Sequence, residues 1–205
     1  MHEWKHIEAE LAKKLDPKHV QPAQKFGPKG DYLEAWFVIS EANRIFGHDG
    51  WSYHVVDLPC VVAQPKKIGR DGKDGHEVTY RAKVRVEVLR DDGSVIVRED
   101  VGAGHGYDVS LGLAHESAAK EAVSDALKRA LRTFGYPFGL ALYDKTREHV
   151  GADLEPILNK IAEAKAREDL TVIWRAHKDL HNNHRFLAAM EKRAGEIKAG
   201  TGRAA

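Results

Sequence analysis

The chain has 205 residues, 42% of them hydrophobic and 31% charged, with a net charge of +1. That length holds one domain, or one domain with an appendage, and the composition excludes a disordered or collagen-like chain. There is no bulk charge to recruit nucleic acid, so any such site must come from local clustering. Cys60 is the only cysteine, which excludes an intrachain disulfide. Met1 to Lys5 lacks an apolar leader and no apolar run reaches bilayer length, so a cytoplasmic protein is expected.

Trp4, Ile7, Leu11 and Leu15 recur at helical spacing and predict a short amphipathic helix that Asp16-Pro17 ends. His19 to Gly30 reads as irregular, with Pro22, Gly27, Pro28 and Gly30, and is mildly basic through Lys25 and Lys29. Asp31-x-x-Glu34 has the form of a capping box for the next helix. Leu33, Trp36, Phe37, Ile39, Ala42, Ile45 and Phe46 supply its buried side, and Gly47 closes it.

Trp51 to Ala63 is rich in β-branched and aromatic residues and predicts a strand. Gln64 to Glu77 carries Lys66, Lys67, Arg70 and Lys73 among glycines. It predicts a long mobile hairpin tip, either a solvated turn or an arm that touches phosphates. Val78 to Val88 alternates strictly: Val78, Tyr80, Ala82, Val84, Val86 and Val88 on one face, Thr79, Arg81, Lys83, Arg85 and Glu87 on the other. The three basic residues there could track a phosphate backbone or face solvent. Asp91-Asp92-Gly93-Ser94 is a hairpin turn, and Val95 to Val101 is the next strand. Gly102-x-Gly104-x-Gly106 lacks the further glycine and the βαβ context of a nucleotide fingerprint, so it is read as a conformational need where strand meets helix.

From Ser117 to Phe134 the apolar residues again follow helical spacing: Ala119, Ala122, Val123, Ala126, Leu127, Ala130, Leu131 and Phe134. The alanines make a thin buried face that another backbone can approach closely. The opposite arc carries Glu121, Ser124, Asp125, Lys128, Arg129 and Arg132, with Asp125 spaced to pair with either Arg129 or Lys128. Gly135 is expected to stop the helix. Periodicity leaves two roles open for Lys128, Arg129 and Arg132: a salt-bridged solvated face, or a groove that holds phosphates.

Three more helices are expected: one around Leu154 to Ile161, one around Leu170 to Trp174 and one from Phe186 to Ile197, the last two separated by a turn at Asn182-Asn183. His177, His181 and His184 are close in sequence, but a turn between them argues for a solvated helix end rather than a metal site. There is no phosphate loop and no constellation with catalytic spacing. An enzyme is not expected, nor is a cofactor or a metal.

Three blocks resemble the Rad52 family of single-strand annealing proteins: YLEAWFVISEANRIFGHDGWSYHV from Tyr32, REDVGAGHGYDVS from Arg98, and EAVSDALKRALRTFG from Glu121. They occur in the family's order across roughly residues 15–145. The resemblance implies an α+β fold, an antiparallel β-β-β meander packed on a long α-helix, with N-terminal helices and a C-terminal helical appendage. It implies an annealing core over residues 1–150, an appendage over 151–205, and a ring of identical subunits. The implied activity is ATP-independent binding of single-stranded DNA and annealing of complementary strands in recombination and double-strand break repair. Lys128, Arg129 and Arg132 match the family's groove-lining basic residues, and Tyr32 matches an aromatic position beside them. Arg81, Lys83 and Arg85 join the candidates from the strand pattern, and Lys25 from its basic loop. Expected partners are single-stranded DNA, the annealed duplex, further copies of the chain and a single-strand binding protein. Eukaryotic relatives carry a long disordered tail, so the short chain suggests a bacterial or phage form. The alternative is a ring that protects DNA ends or scaffolds repair without annealing, as in the DdrA-like branch.

Overall fold

The structure, a computed structural model, describes residues 3–23, 30–151, 154–181 and 183–201. In chain order these form α1 (Trp4–Leu11), β1 (Val20–Gln21), β2 (Tyr32–Leu33) and α2 (Ala35–Phe46). Then come β3 (Trp51–Asp57), β4 (Cys60–Ile68), β5 (Lys73–Leu89), β6 (Val95–Asp108) and α3 (Leu111–Arg132). Last are α4 (Glu155–Glu163), α5 (Arg167–Ala176) and α6 (His184–Thr201). Residues 1–13 with 19–140 make one compact unit, and residues 14–18 with 141–205 make another. Among the described residues, no helix is long and apolar enough to cross a membrane.

In the first unit β5 is the central strand. β6 pairs with it along its whole length, from Leu89↔Val95 to His76↔Asp108. β3 and β4 share the other side, β3 against the 83–88 half and β4 against the 73–80 half. The two are halves of one strand interrupted at Leu58-Pro59, where proline removes a ladder donor. The expected three-lane meander is therefore present, with its first lane broken. The stretch predicted as a mobile tip is shorter than its composition suggests. β4 runs on to Ile68 and β5 begins at Lys73, so Gln64, Lys66 and Lys67 lie in the ladder.

The alternation read for Val78 to Val88 holds: Val78, Ala82, Val84, Val86 and Val88 are all fully buried. α3 lies over that face. Its row Ala114, Ala118, Ala122, Ala126 and Ala130, spaced by four, is buried to the same degree. Opposite it stand Gly102, Gly104 and Gly106 of β6. A Cβ on Gly104 would fall 2.1 Å from the Ala118 carbonyl oxygen, and one on Gly106 would fall 1.9 Å from that of Ala114. None of the three has a positive φ. The glycine repeat is thus not a conformational need, as the sequence suggested, but a requirement for close approach between a glycine row and an alanine row.

Further expectations change with the packing. Asp31 does not cap α2. Glu34 is the N-cap residue and makes no side-chain cap bond, because Tyr32 and Leu33 are taken into β2. α3 begins earlier than its apolar pattern suggested, capped by the Ser110 hydroxyl, which accepts from the Leu113 N–H. It ends at Arg132, with Thr133 as its C-cap, before Gly135. Gly135 serves α1 instead, since a Cβ there would meet the Leu11 carbonyl oxygen at 2.4 Å. α1 is held to α2 by an ionic cluster: the buried Glu10 accepts from Arg44 Nη1 at 2.6 Å and from Lys13, and Arg44 also pairs with Glu41 at 2.6 Å.

Charged side chains cover part of the free edge of β6, as edge strands require. The Asp100 carboxylate accepts from the Val101 N–H, and that of Glu121 from the His105 N–H, both at 2.7 Å.

The second unit is helical. Leu154, Ile157, Ile161, Leu170, Leu180 and Phe186 form its buried cluster. Leu15 is also buried, its N–H bonded to the His149 carbonyl and its carbonyl to the Gly151 N–H. The Asn183 side chain accepts from the N–H groups of Arg185 and Phe186 and so caps α6. Asn182 lies outside the described residues.

Candidate nucleic-acid interface

Lys128, Arg129 and Arg132 occupy the last two turns of α3 at positions i, i+1 and i+4, which puts them on one arc of the helix. Cations there also complement the negative end of the helix dipole. All three are half-buried, so their stems pack while their heads stay in reach of solvent.

Their immediate surroundings differ. β1 and β2 pair through Val20↔Leu33 and Gln21↔Tyr32. Leu33 points into the core at 4% exposure while Tyr32 stays half-buried. This short ribbon sets Tyr32 beside α3. Lys128 Nζ stands 3.4 Å from the Leu33 carbonyl oxygen and 5.8 Å from the centre of the Tyr32 ring. A single long hydrogen bond leaves two of the three ammonium donors for another acceptor. Arg129 does otherwise: its Nε donates to Asp100 of β6 at 3.1 Å. Spacing along the helix pointed to Asp125, four residues back, whereas the packing supplies an acidic partner from the sheet. Arg98 of β6 adds a cation that the sequence reading did not single out, its guanidinium 5.4 Å from the centre of the Phe134 ring. Sequence alone could not have found it, because only the β5–β6 register brings β6 to this end of α3.

Arg81, Lys83 and Arg85 lie elsewhere. Their partners across the ladder are Ala103, Val101 and Glu99, and all of them face away from the side that α3 covers. The sheet thus separates them from Lys128, Arg129 and Arg132, and the two sets do not form one groove. Glu99 stands between two of them, 2.6 Å from Lys83 and 2.7 Å from Arg85. The hydrogen bond from Lys83, and next that from Arg85, hold its carboxyl below the usual carboxylate range. Farther along the same face, bonds from Lys66, Gln64 and Tyr107 pull the Glu77 carboxyl down to about 2. So the basic stripe seen in the sequence is a mixed, largely compensated surface. Lys25 lies outside the described residues.

Trp36 was expected on the buried side of α2 but is 65% exposed. Phe37 takes the inner position instead, at 8% exposure. Its ring stacks on His19 at 4.0 Å and meets Trp36 edge to face at 6.0 Å. Of the clustered histidines, His181 is used in packing: it stacks on Trp174 at 3.7 Å and its Nε2 lies 2.9 Å from the Trp174 carbonyl oxygen. Among the described residues, no group of three or more His, Cys, Asp or Glu side chains could hold a metal ion.

A family model described as Rad52/22 family double-strand break repair protein matches residues 3–159. The DNA repair and recombination protein rti1 of Schizosaccharomyces pombe is 37% identical over 172 residues, covering 82% of this chain and 42% of the relative. The DNA repair and recombination protein RAD52 of Saccharomyces cerevisiae is 39% identical over 141 residues, 68% of this chain and 28% of the relative. The chain therefore spans less than half the length of these curated relatives. They are fungal, which lends no support to the bacterial or phage origin expected from the sequence.

Proposed function

The chain belongs to the Rad52/22 family of double-strand break repair proteins, and from that premise we propose that it binds single-stranded DNA at the C-terminal end of α3 and anneals complementary strands without ATP. The relatives named as DNA repair and recombination proteins support a role in recombination and repair. The observation that carries the site is the approach of Lys128 to the Leu33 carbonyl and the Tyr32 ring, which joins cation and aromatic on one half-buried surface.

Annealing needs two polyanions brought into register against their mutual repulsion. Lys128 and Arg132 would each hold a phosphate, while Tyr32 offers a ring to a base or sugar. A strand held by its backbone keeps its base edges free for a complement, so sequence selection rests on base pairing. No chemical bond is made or broken, and no nucleotide is hydrolysed. Assembly of copies into a ring would repeat the surface around a circle and let one strand run across neighbouring subunits.

The test is fluorescence-monitored annealing of two complementary oligonucleotides, without ATP. The protein should raise the annealing rate well above that of the free strands, and Lys128→Ala with Arg132→Ala should remove most of that gain. Tight single-strand binding with no rate gain would favour the end-protecting alternative.

A further inference from the structure

We propose that Trp36 is a base-stacking platform for single-stranded DNA, extending the Tyr32–Lys128 surface onto the first turn of α2; this rests on the DNA-binding reading above. A single exposed apolar residue carries no message by itself, but three features set this one apart. The first is its support. Trp36 is 65% exposed, yet Phe37 props it edge to face at 6.0 Å, and Phe37 is in turn backed by His19 at 4.0 Å. An indole held in this way presents most of its surface with little freedom left to lose on binding.

The second is its place. Trp36 follows Leu33, whose carbonyl receives Lys128, by three residues. Three residues of chain span at most about 11 Å. That is the reach of about three stacked bases at about 3.4 Å each. A strand whose phosphate lies at Lys128 thus has a base within range of Trp36.

The third is charge. Glu34 stands two residues before Trp36 and makes no side-chain bond to the helix end. It would repel a phosphate but not a neutral base. The first turn of α2 therefore suits the base side of the strand, as α3 suits its phosphate side. Stacking tolerates every base, which fits a strand selected by pairing alone.

The experiment compares Trp36→Ala, Trp36→Phe and Lys128→Ala on oligo(dT) and on an abasic deoxyribose-phosphate oligomer of equal length. Particle mass and far-ultraviolet circular dichroism are measured alongside. Trp36→Ala should weaken oligo(dT) binding about tenfold, since one stacked base is worth that order. It should leave abasic binding and the salt slope unchanged. Trp36→Phe should restore most of the affinity, and Lys128→Ala should weaken both oligomers. Equal loss on both oligomers with Trp36→Ala, unchanged oligo(dT) affinity, or a change in particle mass would overturn the inference while leaving the groove intact. Failure of the unmodified chain to bind either oligomer would overturn both.

Discussion

Lys128 and Lys83 are the same side chain in different electrostatic settings. Lys128 has a carbonyl at 3.4 Å and a ring face at 5.8 Å, so its charge is not neutralised by either neighbour. Lys83 lies 2.6 Å from Glu99, which also binds Arg85. Lys128→Ala should therefore reduce single-strand affinity and lower the salt slope by about 0.7 for one lost phosphate contact. Lys83→Ala and Arg85→Ala should have a clearly smaller effect on both, as titrations across a salt series would read. Glu10 makes a second residue-scale case. Bonds from Lys13 and Arg44 hold its carboxyl at about 2, against 4.5 for an ordinary glutamate. A lowered carboxylate pKa gives stability that is complete above the unfolded value and is lost as pH falls through the folded one. Acid titration should thus show weakening between about pH 4.5 and pH 2, and Glu10→Gln should flatten that slope. The same change should cost about 1.5–3 kcal/mol at neutral pH, the range for hydrogen bonds to charged groups.

At the scale of elements, the decisive contact is the glycine row of β6 against the alanine row of α3. It places α3 close to the sheet and so fixes where the basic end of the helix emerges. Gly104→Ala would set a methyl 2.1 Å from the Ala118 carbonyl oxygen and 2.3 Å from the Ala122 amide nitrogen. Neither is a flexible side chain, so the helix must move as a body. We expect a loss of about 3 kcal/mol or more by overpacking, read as a lower midpoint in urea unfolding, with weaker DNA binding because Lys128 shifts away from Tyr32. Gly93→Ala in the β5–β6 turn meets no neighbour, and it separates the two mechanisms. It should cost only the strain of its positive φ, and should leave DNA affinity alone.

For the whole molecule, assembly and the second unit raise separate questions. A sheet with β3–β4 on one edge and β6 on the other invites pairing between copies. The ring proposed here should give a light-scattering mass many times that of one chain at micromolar concentration, and a monomer would overturn it. The second unit carries a buried cluster around Phe186 and Leu154. A chain cut after Lys145 loses that cluster, and with it His149 and Gly151, which bond the backbone of the buried Leu15. Such a truncation should keep its single-strand affinity while losing solubility or particle mass. Retained mass with lost affinity would move the DNA site into residues 146–205.

By itself the sequence determined the strand alternation from Val78 to Val88, the long alanine-rich helix, and the block around Lys128 with Tyr32 that carries the family resemblance. These are properties of one element or one motif, and spacing along the chain expresses them directly. Tertiary structure decided what each element meets. Arg129 gained Asp100 as a partner because the sheet brings that carboxylate to it, and Glu99 joined Lys83 to Arg85 through the β5–β6 register. Trp36 left the core because the buried arc of α2 is centred on Val38, Ala42 and Ile45, on the opposite side of the helix. The glycines of β6 read as a conformational need where strand meets helix, and the alanine row of α3 showed them to be a close-approach row. Helical and strand periods say which side of an element is buried, but a partner across space follows from register and approach distance, which no single element's period contains.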